Sequence, residues 1–235
     1  FEGTAKIDDE NGHLMMQGLI DLIKEKPEFK FTAIGTNIRP EALKLTKKYK
    51  DADLSFNIHA NFIGNTPDNA EGELSIDSIT FIKGNERFFL KRFLVTAHNE
   101  QVPQSLKIHS DILNGEISGQ YSFRTLKNSI TEIISSVLPS IVTPPKKKLK
   151  AENIFSYTFK IEPTESVSKI FELPITLSSG GEIEGFYNDK ESRFRFESSF
   201  PILQIRKSKL DNTLILSEKS NGTITFSARA SNTNK

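Results

Sequence analysis

Gly115-Glu116-Ile117-Ser118-Gly119-Gln120-Tyr121-Ser122-Phe123 returns as a near-copy, Gly181-Glu182-Ile183-Glu184-Gly185-Phe186-Tyr187. Side chains of an extended strand alternate between two faces. Ile117, Gly119, Tyr121 and Phe123 therefore share one face, and Glu116, Ser118, Gln120 and Ser122 share the other. One face is apolar and the other is wetted, as in a sheet covered on one side only. Gly119 and Gly185 put the smallest side chain in the middle of the apolar face, where a bend, a ligand or the close approach of another backbone is expected.

The same alternation runs outward in both directions. Residues 1–8 and 14–23 flank the turn Asp9-Glu10-Asn11-Gly12 and read as a hairpin, and Phe29, Phe31 and Ala33 mark the next strand. Leu54, Phe56, Ile58, Ala60 and Phe62 alternate with Ser55, Asn57, His59 and Asn61. Residues 72–82 follow the turn Thr66-Pro67-Asp68-Asn69, and residues 87–97 carry apolar side chains at consecutive positions, which predicts a strand covered on both faces. Three short amphipathic helices interrupt the strands. They are residues 40–49 behind Pro40, residues 125–138 behind Thr125 as N-cap, and residues 165–173 with Val167, Ile170 and Phe171 on one stripe. The expected fold is mainly β, a twisted and curved antiparallel sheet shaped like a gutter or half-pipe, with about three short helices packed on or capping its apolar face. Residues 1–142 form a first unit and residues 151–230 a second, joined by the Pro/Lys connection 143–150, with 231–235 as a disordered tail.

Composition narrows the functional classes. Lys and Arg total 31 against 30 Asp and Glu, and a net charge of +1 supplies no long-range field for nucleic acid. The apolar fraction of 36% suits a sheet that buries one face. Cysteine is absent, so disulfides, thiolate metal sites and cysteine nucleophiles are excluded. No run reaches the roughly 18 to 20 apolar residues that span a bilayer. Phe1 already lies inside a strand-like run, so the chain reads as a fragment of a longer protein.

No chemistry-bearing pattern emerges. His13, His59, His98 and His109 are scattered, and His59 and His109 fall on polar strand faces where a solvated imidazole is expected. Asp8-Asp9-Glu10-Asn11-Gly12 lacks the ligand spacing of a calcium loop and reads as a turn. Neither a phosphate-cradling glycine loop nor a nucleophile elbow occurs. Glu182 and Glu184 share a strand face with nothing nearby to split their pKa values, and Lys146-Lys147-Lys148 reads as a solvated linker. The expectation is a non-enzyme with no cofactor, no metal and no catalytic residue.

The aromatic content is the remaining signal: 18 Phe and no Trp, many of them in alternating strands. With numerous strands and few helices, part of the apolar sheet face is expected to stay open. A concave apolar face takes up acyl chains, because removing hydrocarbon from water is worth about 0.8 kcal/mol per methylene. The groove candidates are Phe56, Ile58, Phe62, Ile117, Tyr121, Phe123, Phe155, Tyr157, Phe159, Ile183, Phe194 and Phe196. A closed, helix-plugged core acting as an interaction module is the other reading.

Three features carry a family resemblance: Ser110-Asp111-Ile112-Leu113-Asn114 running into the Gly-x-Ile-x-Gly-x-Tyr strand, the helix 126–138 ending in Leu-Pro, and the earlier Ser75-Ile76-Asp77-Ser78-Ile79-Thr80. In that order they resemble the translocation and assembly module TamB family, within the AsmA-like group of envelope proteins, best over residues 54–161. The resemblance implies a segment of an envelope protein in the periplasm, anchored in the inner membrane by a part outside this sequence. It implies phospholipid or another acyl-chain lipid as ligand and transport between inner and outer membranes. Flanking repeats of the same chain, and an outer-membrane barrel of the Omp85 type in outer-membrane assembly, are the implied protein partners. Helices interrupting the strand series depart from a continuous groove.

Overall fold

A computed structural model describes residues 1–47, 49–137, 139–140, 142–144 and 152–231. The strands are β1 (Glu2–Asp9), β2 (Gly12–Asp21), β3 (Glu28–Ile38), β4 (Ala52–Ile63), β5 (Glu71–Lys83), β6 (Glu86–Leu90), β7 (Phe93–His98), β8 (Gln104–Ser110) and β9 (Leu113–Gln120). After helix α1 (Phe123–Val137) come β10 (Ile154–Ile161), helix α2 (Glu165–Ile170), β11 (Ile175–Leu177), β12 (Gly181–Asn188), β13 (Arg193–Ile205), β14 (Ser208–Ser220) and β15 (Thr223–Ser231). All fifteen belong to one antiparallel sheet ordered β1-β2-β3-β4-β5-β7-β8-β9-β10-β12-β13-β14-β15. β6 and β7 share one edge of β5, and β11 and β12 share one edge of β13. β9 pairs directly with β10, so the connection expected at 143–150 leaves the sheet continuous.

One row of directly opposed residues shows how the apolar face is assembled. It runs Phe29, Phe62, Gly72, Ala97, Leu106, Ile117, Tyr157, Gly185, Phe196, Ser217 and Phe226. Period-two alternation places the same face inward on every strand. A bulge between Asn57 and Ile58 in the β4–β5 ladder gives β5 an extra residue, so that Leu74 and Phe81 both point inward. Leu54 and Phe62 are even-spaced in β4. Leu54 packs beside α2, and Phe62 lies in the row that α1 covers further along, so both helices sit on this face.

α1 brings Leu126, Ile133 and Val137 onto a cluster of Ile117, Phe155, Tyr157, Phe194, Phe196 and Leu203. The smaller α2 seats Ile170, Val167 and Phe171 on Ala52, Phe81, Phe88 and Leu90. Phe171 stacks on Phe81 with centroids 5.5 Å apart. The stripe Val167, Ile170, Phe171 is as expected, although α2 ends at Ile170 rather than 173.

Several sequence expectations are corrected. The helix expected over 40–49 is a chain of turns: Leu43 N–H reaches Arg39 O and Leu45 N–H reaches Pro40 O, but Lys44 adopts φ 58, which ends the first turn. Leu45, on the expected apolar stripe, is 69% exposed, so no packing compensates the cost of nucleating a short helix. Two α-helices therefore stand among the described residues, not three. The strand expected over 87–97 breaks at Lys91-Arg92, and Phe89 stays exposed, so β6 is covered on one side only. β2 stops at Asp21, leaving Leu22 and Ile23 in a loop. Ser231, expected in the tail, belongs to β15, while residues 232–235 lie outside the described residues, as do Leu138 of the expected helix and 145–150 of the connection.

Gly119 lies at φ 145, and a Cβ there would stand 2.2 Å from Ile154 O and 2.7 Å from Phe155 Cα. Close approach of the β10 backbone, one of the three options expected of this glycine, is what occupies the position. Gly119→Val is expected to destabilise the protein by about 1–3 kcal/mol, read as a lower urea midpoint. An unchanged midpoint would show that β9 and β10 can separate freely at this point.

Candidate functional site

The twelve groove candidates share the inner face but divide into two environments. Ile117, Tyr121, Phe155, Tyr157, Phe194 and Phe196 are buried, and Phe123, Phe159 and Ile183 pack against the same cluster. This zone is filled by α1 and the aromatic rings themselves: Phe155 stacks on Tyr187 at 5.7 Å and meets Tyr121 edge-on at 6.3 Å. Phe56, Ile58 and Phe62 are half-buried and lie outside that cluster. Phe56 lays its ring over Gly35, where a Cβ would come within 2.6 Å.

Polar ties fix α1 in place. The helix begins at Phe123 rather than at the expected cap Thr125, because the cap comes from elsewhere in the chain. Asp68, on the 3-10 turn Pro67–Asn69, accepts the Phe123 N–H and, at 3.0 Å, the Ser122 hydroxyl. A carboxylate at this end meets unpaired N–H groups and the positive end of the helix dipole. Thr125 instead turns its hydroxyl to Ser122 O. Buried Asn153 accepts the Ser122 N–H and donates to Thr125 Oγ1 and Ser129 Oγ. Further along, Glu132 accepts from the Tyr187 hydroxyl at 3.0 Å and from Lys219 Nζ at 2.7 Å, and Ser136 Oγ meets Ser217 Oγ at 3.0 Å.

Beside the start of α1 the inner face is uncovered. A cavity of about 510 Å³ opens there, walled by Phe29, Phe62, Leu74, Val95, Leu106 and Phe123, with Leu22 at its rim. Phe29 and Phe62 stack at 4.7 Å to form one wall. Gly72 and Ala97, opposed in the β5–β7 ladder, supply the open floor because neither carries a large side chain. The polar residues around it have partners within the protein, including Glu73, an exposed lining residue whose carboxylate accepts the Thr96 hydroxyl at 3.5 Å. Asn99 donates to Pro67 O and accepts from the Tyr121 hydroxyl, while Asn65 and Thr66 bond to Asn69. A ligand here meets hydrocarbon, and the size falls within the range of small-molecule pockets.

Of the sequence candidates, Phe62 and Phe123 reach this cavity. Phe29 lies in a strand legible from its alternation, whereas Leu74, Val95, Ala97 and Leu106 are brought together by strand register and Leu22 reaches the cavity from the loop after β2. Among the described residues, no group of three His, Asp or Glu is placed to hold a metal ion, and no helix is long and apolar enough to cross a membrane. The chain matches no family model, no curated protein and no solved structure.

Burial disfavours the phenolate of Tyr121, with the charges of Glu116 and Asp68 adding to the effect, and its pKa is pushed up to about 12. Tyr187 is raised in the same direction by burial and then by Glu132. Because these folded values lie above the unfolded value of about 10, the stabilisation is whole below about pH 10 and is lost as pH rises through the folded values. Thermal stability is expected to fall above about pH 10, and the fall should shrink in the double variant Tyr121→Phe, Tyr187→Phe. An equally steep fall in that variant would assign the alkaline loss to other groups.

Proposed function

We propose that the chain is a non-catalytic lipid-handling segment that takes an acyl chain into the cavity beside α1. The observation that carries this reading is a largely apolar cavity whose rim polar groups are already engaged within the protein. The favourable term is hydrocarbon burial, about 0.8 kcal/mol per methylene, which needs no catalytic group. The resemblance to TamB and AsmA-like proteins extends the proposal to phospholipid transport between the membranes of a cell envelope and to support of outer-membrane assembly, in the periplasm. The α1-covered zone serves as scaffold in this proposal, and the ligand zone is the Phe29–Phe62 end of the face.

The test is native mass spectrometry of the purified chain after exposure to phospholipid. One bound lipid is expected, and it should disappear in Ala97→Phe, which fills the cavity floor, while circular dichroism stays unchanged. Wild-type protein that carries no lipid under these conditions would defeat the reading.

A second reading, an interaction module that adds a strand from a partner or a flanking repeat, draws on β15. All nine residues of that edge strand are exposed, Ile224 and Phe226 at 51% each, and it carries one charge, Arg229, and no proline. Natural edges are usually guarded by charges, prolines or bulges. Under this reading, hydrogen exchange of the β15 amides slows when an outer-membrane barrel partner or a longer form of the chain is present, and exchange that stays equally fast counts against it.

A further inference from the structure

Strand direction alternates across the sheet, so the β2–β3, β4–β5 and β7–β8 connections and the start of α1 all emerge at one end. That end surrounds the cavity mouth. Two of its loops carry aliphatic side chains pushed into solvent: Leu22 is 66% exposed, Ile23 97% and Val102 95%. Isolated exposed aliphatics are ordinary. These three occupy two neighbouring loops, tied by the Lys26–Glu100 ion pair at 2.5 Å, and Leu22 itself lines the cavity rim. The apolar lining thus continues outward from the cavity to the loop tips.

We propose that this end is a bilayer-docking tip, in which Leu22, Ile23 and Val102 enter a leaflet so that an acyl chain passes between membrane and cavity without crossing water. The inference rests on the acyl-chain reading of the cavity. Each methylene left in water weakens transfer by about fourfold, so a cavity for acyl chains requires its mouth at the hydrocarbon. Charge points to a zwitterionic surface. Lys24 is bound to Glu28 with Asp21 at 3.7 Å, and Lys26 to Glu100, leaving neither lysine free for anionic headgroups. Protruding side chains on two loops suit a fluid surface, which needs no matching shape.

The test pairs two measurements on the intact chain. Flotation with phosphatidylcholine vesicles is expected to carry wild-type protein, and Ile23→Asp with Val102→Asp should weaken that partitioning by roughly tenfold or more. Native mass spectrometry with a short-chain phosphatidylcholine below its micelle concentration should show equal cavity occupancy in both proteins, which also confirms that the variant is folded. Wild type that binds the soluble lipid yet does not float overturns the tip while leaving the cavity reading intact. Wild type that floats but never holds soluble lipid overturns the cavity reading and, with it, the passage of lipid through the tip. A concentration-dependent dimer in light scattering, dissociated by Ile23→Asp and indifferent to vesicles, would assign the same surface to a second copy and overturn the proposal.

Discussion

The apolar row from Phe29 to Phe226 runs from β3 to β15, and most of it must be kept from water. A single antiparallel sheet has no second layer of its own, so its stability depends on what lies over that face. Here the cover is uneven. α1 shields the strands from β9 to β14, and α2 with the turns before β4 shields the outer part of β4, β5 and β6. Between them the face relies on side chains leaning on one another, as Phe29 does on Phe62, and a cavity remains.

A recurrent pairing runs along the inner face. Gly18 opposes Phe31, Gly35 opposes Phe56, Gly72 opposes Phe62, Gly119 opposes Phe155 and Gly185 opposes Phe196, each directly across a strand pair. At Gly35, Gly115 and Gly181 the missing side chain makes room for the rings of Phe56, Phe159 and Phe200, which cover the glycine backbone, whereas at Gly18, Gly119 and Gly185 it lets the neighbouring backbone come close. The pairing also helps many phenylalanines fit on one face without a second sheet. Where the glycine meets a ring that leans elsewhere, as at Gly72, the vacant space becomes part of the cavity floor.

Much of the fold was legible in local pattern. Alternation marked the strands, and apolar spacing marked α1 and α2, because both signals are periodic and survive in a single sequence. The helix expected at 40–49 had the spacing too, but no surface for Leu45 to cover. The cap of α1 was misread for a different reason: Thr125 is a good local cap, whereas the carboxylate that serves comes from Asp68, far earlier in the chain. The site was only half legible. The strands richest in aromatic residues, around Phe155, Tyr157 and Phe194, carry the strongest local signal, yet they are the part that α1 seals.

The sequence by itself determined that the sheet has one apolar face and which residues of its strands face it, since both follow from residue type and period two. Tertiary structure decided which stretch of that face is closed. Strand register brings Leu74, Val95 and Leu106 beside Phe29 and Phe62, and the ties from Asp68, Asn153 and Lys219 place α1 over the aromatic strands instead. Those are contacts between residues far apart in the chain, and no local period encodes them.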